Sequence, residues 1–210
     1  MRRVVVLALL ALALPIVASA GTLDITNTFG SASITTAGVV VGATQNSQLT
    51  SFDGIVPTKP GPNLGHVTFS TGALTSGSIS TGATFAGGGS FMVTGIGSWT
   101  KTLAGSPQGP VTLFSGSFVG PVTWTKTGGS GGGSIFTLSG MVSGTLWNGR
   151  VVSGMTTQTF FASNAQFALG IGHIRAGDTQ LAVPEPGTLG LLGTGLVGIG
   201  GMFRRKLMRA

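Results

Sequence analysis

Five side chains between residues 21 and 183 could carry acid–base chemistry: Asp24, Asp53, Asp178, His66 and His173. One histidine and one carboxylate beside a serine would make a hydrolytic triad, and two carboxylates such as Asp53 and Asp178 would suit a glycosidase. These five are scattered along the chain and no motif groups them. We therefore expect no catalytic residues and no enzyme activity, and keep a secreted hydrolase as an alternative.

Sequence motifs that usually accompany such chemistry are missing from the chain. The segment Gly131-Gly132-Gly133-Ser134 leads into Ile135, so it does not complete the G-x-S-x-G turn that exposes a nucleophilic serine. Cysteine is absent and no Asp/Asn-dense calcium loop occurs. His66 and His173 have no evident third side-chain ligand for a metal in the sequence. We expect neither a metal site nor a cofactor.

Three tryptophans, Trp99, Trp124 and Trp147, are the other residues that could contact a ligand. Aromatic rings on strands usually pack in a core, but an exposed ring beside a groove can stack on a sugar. The sequence leaves both roles open for all three.

The formal charge of +7 suggests a nucleic-acid-binding protein, but the distribution of the charged residues argues against this function. Six of the basic residues lie near the two ends of the chain. Residues 21–183 hold five basic and three acidic side chains, scattered singly and without a basic stripe. We expect no nucleic-acid binding.

The N-terminal residues have the pattern of a secretory signal peptide. Arg2 and Arg3 precede an apolar run from Val4 to Val17, and Ala18-Ser19-Ala20 forms an A-x-A site. We predict a signal peptide over residues 1–20 with cleavage between Ala20 and Gly21. An uncleaved N-terminal anchor is the alternative.

The C-terminal residues combine three features in a fixed order. Pro184, Glu185 and Pro186 form a stiff extended segment, because each proline restricts both itself and the residue before it. An apolar run over residues 188–203 follows, at about 24 Å as a helix slightly shorter than a bilayer core. Arg204, Arg205 and Lys206 then open a basic tail over residues 204–210 that should stay cytoplasmic.

This order of features resembles the PEP-CTERM sorting signal, which would occupy residues 183–210. The resemblance implies processing by an exosortase, an integral-membrane cysteine transpeptidase of Gram-negative bacteria that is thought to cut near the Pro-Glu-Pro motif. It implies a motif role for Pro184, Glu185 and Pro186 and a cytoplasmic stop at Arg204, Arg205 and Lys206. The protein would pass through an inner-membrane intermediate to the cell surface or the extracellular matrix. An ordinary tail anchor is the alternative.

Residues 21–182 have the pattern of one all-β domain. Apolar and polar residues alternate with period 2, β-branched and aromatic residues are frequent, and Gly, Ser and Asn punctuate the runs. Many short strands of this kind predict an antiparallel β-sandwich or barrel, with no helix between residues 21 and 183. The expected core contains Trp99, Trp124, Trp147, Phe69, Phe85, Phe91, Phe118 and Phe136.

The alternation also predicts individual strands and loops. Gly54 to Gly65 should be a proline-containing loop, and Thr127 to Ser134 a flexible hairpin connection. Strands are expected over Val111–Phe118, Val122–Lys126, Ile135–Leu146, Val151–Phe161 and Gln166–Ile171.

Together these features predict an exported, non-enzymatic protein of the cell surface or extracellular matrix. A carbohydrate-binding module of an exopolysaccharide matrix, using Trp99, Trp124 or Trp147, is the first alternative, and the hydrolase is the second. The expected partners are an exosortase, the inner membrane before processing, and an exopolysaccharide.

Overall fold

The computed structural model describes residues 21–42, 46–56, 64–104 and 109–183. The predicted signal peptide over residues 1–20, the Pro-Glu-Pro motif, the apolar run 188–203 and the basic tail lie outside the described residues. The middle of the predicted loop from Gly54 to Gly65 also lies outside them.

The described residues form an almost entirely β structure. They contain thirteen strands and two short helices, α1 (Trp99–Ala104) and α2 (Asn164–Ala168). The strands are β1 (Gly21–Thr28), β2 (Ser31–Thr35), β3 (Gly38–Val41), β4 (Ser47–Phe52), β5 (Gly65–Ser70), β6 (Leu74–Ser78), β7 (Gly82–Phe85), β8 (Gly88–Gly95), β9 (Val111–Phe118), β10 (Val122–Ser130), β11 (Gly133–Leu146), β12 (Val151–Ser163) and β13 (Ile171–Val183).

Eight of the strands close into an antiparallel barrel, in the order β1, β4, β5, β8, β9, β11, β12, β13 and back to β1. Closure leaves these strands with a hydrogen-bonded neighbour on both sides, so the wall has no unpaired edge. The all-β prediction is therefore confirmed, and of its two architectures the structure adopts the barrel.

The first four strands form one long hairpin that is interrupted in the middle. Phe29 and Gly30 both have positive φ, 59° and 90°, and separate β1 from β2. A Cβ on Gly30 would lie 2.6 Å from the carbonyl oxygen of Asn46, so the close approach of the two halves requires glycine here. The hairpin pairs with β13 on one side and with β5 on the other.

A smaller side sheet branches from β11, the longest strand. β10 pairs with the first half of β11 and β9 with the second half, while β12 pairs with β11 along its whole length. β10 continues the sheet through β7 to β6. The side sheet brings Phe85 and Trp124 onto the same aromatic core as the barrel.

The two ends of the barrel differ in what they carry. At the α1 end, β1 begins, β13 ends, and α1 contacts the chain after β11 through Trp147. We call the opposite end the α2 end. It carries α2 and the tips of the β2–β3 and β10–β11 hairpins. β1 and β13 are neighbours, and Ala182 near the end of β13 pairs with Ser153 near the start of β12. The barrel's first and last strands therefore both open at the α1 end.

The interior follows the alternation in the sequence. Val67 and Phe69, and likewise Phe91 and Val93, point inward from paired strands, and the Phe69 and Phe91 rings stack at 5.8 Å. Burying rings of this size gives the main favourable contribution to folding. The expected core residues Phe69, Phe85, Phe91, Phe118, Phe136 and Trp124 are buried, and Trp99 and Trp147 are partly buried against them.

Two local predictions are wrong. Gln166 to Ile171 is not a strand: α2 occupies Asn164–Ala168 and β13 begins only at Ile171. Ser163 is the reason, because its hydroxyl caps Gln166 while the Gln166 side chain returns to the Ser163 backbone, a reciprocal capping box. The predicted loop from Thr127 to Ser134 is a hairpin, but its strands extend to Ser130 and from Gly133, so only Gly131 and Gly132 form the turn.

The expectation of no helix between residues 21 and 183 is also wrong, since α1 and α2 are present. Both are short, at six and five residues. No helix within the described ranges is long and apolar enough to cross a membrane.

Candidate functional site

Trp124 is part of the core and has no exposed ring face. It is 1 % exposed, its ring stacks on Phe136 at 4.8 Å, and its Nε1–H donates to the Ile79 carbonyl at 2.9 Å. Alternation along β10 places Trp124 on the same inward face as Val122. A sugar-stacking role for Trp124 is therefore incompatible with this packing.

Trp99 and Trp147 lie together at the α1 end, on either side of Phe52. Their ring centroids are 6.0 and 5.6 Å from that of Phe52. Trp99 Nε1–H donates to the carbonyls of Leu64 and Ile96, and Trp147 Nε1–H donates to that of Leu103. Both rings are partly exposed, so a stacking role for these two stays a prediction, alongside their evident role of holding α1.

The structure brings Asp24 and Asp178 together on the outer wall. β1 and β13 are neighbours, and the two carboxyl groups share a hydrogen bond. Partial burial, this hydrogen bond and the charge of Asp24 together raise the pKa of Asp178 above its ordinary value, against an opposing hydrogen bond from the Thr179 backbone. Asp178 therefore holds a proton more readily than an isolated aspartate.

Asp53 is not a partner of Asp178. It sits in the turn after β4 with φ of 50°, and its backbone N–H donates to the Asp24 carbonyl at 2.7 Å. Its side chain is exposed. The carboxyl pair that the sequence suggested for a glycosidase, Asp53 with Asp178, is therefore not the pair that the fold assembles.

His173 is held by two neutral side chains. Its Nδ1 lies 2.9 Å from Ser31 Oγ, and its Nε2 lies 2.7 Å from Gln166 Nε2. The Gln166 Oε1 already accepts the Ser163 backbone N–H, so the amide nitrogen faces the ring and donates to it. His173 Nε2 is then an acceptor, which puts the ring proton on Nδ1, where it donates to Ser31.

His66 lies on β5, and its Nδ1 is buried without a hydrogen-bond partner within the described residues. In the same residues, neither histidine is hydrogen-bonded to a carboxylate, and no group of three or more metal-binding side chains occurs. The described structure thus gives no assembled acid–base or metal centre.

A groove of about 420 Å³ lies on the outer wall across β12, β13, β1 and β4. We call it the threonine trough. Five threonines, one arginine and one aspartate contribute side chains to it: Thr26, Thr28, Thr50, Thr157, Thr159, Arg175 and Asp178.

A β-bulge in β13 shapes the threonine trough. The pairing of β12 with β13 shifts register between Thr159 and Phe160, so that Arg175 is the extra residue. Arg175 and Ala176 are both exposed as a result, whereas Gly177 is buried. The small side chain of Ala176 leaves β13 as a low floor between threonines on β12 and on β1.

A buried polar cluster lies directly beneath this floor. Asn27 and Gln158 exchange amide hydrogen bonds, and Asn27 also donates to Ser47 Oγ at 2.8 Å. Gln158 donates to Thr156 Oγ1, which lies 2.7 Å from Thr179 Oγ1. Because these groups satisfy one another inside the barrel, they fix the register of the strands that carry the trough.

Sequence reasoning missed the trough, although a signal was present. Thr26-Asn27-Thr28 and Thr157-Gln158-Thr159 each alternate outward threonines with an inward amide. A buried amide needs a hydrogen-bond partner, so this pattern indicates that Asn or Gln on one strand meets a polar group on another strand. The outward threonines of the two strands are then close together.

Comparison with known proteins gives one match. A family model for the PEP-CTERM protein-sorting motif matches residues 182–206, so the chain carries this motif. The match begins at Ala182 and Val183, the last two residues of β13. Neither a search of curated proteins nor one of solved structures gave a match.

Proposed function

We propose, from the PEP-CTERM protein-sorting motif at residues 182–206, that the chain is an exported protein that an exosortase processes. Pro184, Glu185 and Pro186 form the recognised segment. Arg204, Arg205 and Lys206 hold the tail at the cytoplasmic face of the inner membrane before processing. The barrel is then delivered to the cell surface or the extracellular matrix.

One observation carries this proposal: the motif follows β13 without an intervening linker. The proline at each side of Glu185 disfavours a helix in the sequence recognised, which would suit a protease-like cleft. The first and last strands of the barrel both open at the α1 end. A cleaved signal peptide before Gly21 and a processed motif after Val183 would therefore release the barrel from the same end.

The proposed role of the barrel is non-enzymatic. Asp178 has Asp24 rather than a histidine as its side-chain partner, and His173 is bonded to Ser31 and Gln166. A secreted hydrolase would need one of these groups placed to activate a nucleophile or water. The geometry therefore favours a surface or matrix protein over a hydrolase.

Carbohydrate binding is the second candidate function, as part of an exopolysaccharide matrix. The threonine trough favours it, because its hydroxyl groups can both donate to and accept from sugar hydroxyls. The partly exposed rings of Trp99 and Trp147 offer a second location.

Mass spectrometry of the C-terminus tests the sorting proposal. The wild-type chain and a Glu185→Ala variant would be expressed in cells with the exosortase and in cells without it. We expect a mature wild-type chain that lacks residues 188–203 only where the enzyme is present, and an unprocessed variant in both. If the wild-type chain keeps its tail in both cell types, the motif acts as a plain anchor and the proposal is wrong.

A further inference from the structure

The threonine trough has the dimensions of a site for an extended ligand. Its rows of outward threonines on β12 and β1 are two strand spacings apart, about 10 Å, with β13 between them. Its volume of about 420 Å³ is in the range of small-molecule sites. The trough runs along β13 and is open to solvent, so a chain-like ligand could extend beyond both of its ends.

The hydroxyl groups on the two sides of the trough have unused hydrogen-bonding capacity. Thr159 on β12 makes no side-chain hydrogen bond within the described part of the chain. Thr28 donates to the Arg175 carbonyl at 2.7 Å, which leaves its oxygen free to accept. Thr26 and Thr50 hydrogen-bond each other at 3.1 Å, which fixes their orientation.

The floor and the threonine methyl groups add apolar contact. Ala176 is exposed at the bulge, and each threonine presents a methyl group beside its hydroxyl. Dispersion contacts between such methyl groups and the C–H faces of a ring are individually small and add up along a chain.

Charged groups stand only at the ends of the trough. The Arg175 guanidinium lies 4.8 Å from the centre of the Phe161 ring, which holds it by a cation–π contact. Asp178 and its partner Asp24 lie at the other end. Two adjacent carboxyl groups at one end would repel a polymer that carries a carboxylate on every residue.

We propose that the threonine trough binds a neutral, hydroxyl-rich glycan chain, with the chain lying along β13 between Thr157 and Thr159 on one side and Thr26 and Thr28 on the other. This deepens the second candidate function above and rests on it. The site is distinct from Trp99 and Trp147, which lie at the α1 end of the barrel.

Affinity electrophoresis tests the trough. The full chain, purified from membranes in a mild detergent, is run in native gels that contain hydroxyethyl cellulose, dextran or alginate. We expect retardation by a neutral polymer and little by alginate. The variant Thr157→Val/Thr159→Val removes two hydroxyl groups at constant volume and should weaken binding at least fivefold. Ala176→Leu should do the same by filling the exposed floor.

Matched controls make the test specific to this site. Thr112→Val/Thr145→Val changes two exposed threonines on β9 and β11 and should bind as the wild type does. The proposal is overturned if no neutral polymer retards the wild type, if alginate alone does, or if both trough variants bind unchanged. Loss of binding in Trp147→Phe but in neither trough variant would also overturn it. Processing of the C-terminus is measured separately, so a negative result here leaves the sorting proposal standing.

Discussion

Asn27 and Gln158 lie 131 residues apart in the chain, and their side-chain amides are joined by two hydrogen bonds of 2.8 and 3.2 Å inside the barrel. Both side chains are almost fully buried. The contact ties β1 to β12 across β13, under the floor of the threonine trough. An amide that loses its partner here has no access to water, so the pair should be strongly coupled.

Replacing one amide should destabilise the protein more than half as much as replacing both. We expect Asn27→Leu and Gln158→Leu each to lower the free energy of unfolding by about 1–3 kcal/mol, because each leaves the other buried amide without its hydrogen-bond partner. The double variant should cost less than the sum of the two. Urea unfolding followed by tryptophan fluorescence measures all three, and strictly additive effects would contradict the coupling.

Gly177 is a second point at which the polar cluster constrains the sequence. A Cβ at this position would collide with the side-chain amides of both Gln158 and Asn27. We expect Gly177→Ala to lower the free energy of unfolding by about 1–3 kcal/mol through overpacking. Gly132→Ala is the control, since a Cβ there meets nothing within 4 Å. Equal effects of the two substitutions on the urea midpoint would show that the packing beneath the trough is loose.

The Asp24–Asp178 pair should make stability depend on pH. The pKa of Asp178 is raised above its ordinary value of 3.8, so the folded chain keeps a proton that the unfolded chain has lost. The stabilisation that this proton contributes should be fully present below about pH 3.8, decrease as the pH rises through the raised pKa, and be absent above it.

Asp178→Asn should flatten this part of the pH profile, because it leaves no second carboxylate beside Asp24. Asp53→Asn is the matched control, as Asp53 lies in a turn and asparagine also tolerates its positive φ. Unfolding midpoints of the three proteins between pH 3.5 and 7 make the comparison. A wild-type profile that coincides with that of Asp178→Asn would mean that the two carboxyl groups do not interact.

The tautomer of His173 should follow the capping box of α2. The Gln166 amide donates to His173 Nε2, which predicts a proton on Nδ1. Gln166→Glu keeps the capping box but replaces the donor with an acceptor. We expect the ring then to carry a proton on Nε2. Nitrogen-15 chemical shifts of the ring distinguish the states, with His66 as the internal reference, and an unchanged pattern in the variant would contradict the assignment.

Much of the fold could be predicted because it depends on local alternation. β9 has the predicted bounds, and the inward residues of β5, β8 and β11 follow from period 2. What alternation cannot give is which strands pair across long separations. Ser163 and Gln166 show a different limit: they form a recognisable capping signature, but β-rich flanking sequence favoured a strand at the same place.

The candidate functional features also divide into those that the sequence alone predicts and those that only the fold assembles. The sorting motif could be identified because it is a contiguous, ordered sequence pattern, and a family model matches it. The threonine trough could not, since its side chains come from β1, β4, β12 and β13 and only barrel closure brings them together. Asp24 likewise meets Asp178 only because β1 pairs with the last strand.

The pairing at the end of β13 sets a limit on where the chain can be cut. Ala182 pairs with Ser153 on β12, and Leu181 is buried, so cleavage before Ala182 would require β13 to separate from the barrel wall. Proteases bind extended backbone that is free of other pairing. We therefore expect the processed chain to end at Val183 or later. Intact-mass measurement of the mature protein gives the terminal residue, and an end before Ala182 would mean that the last strand opens during sorting.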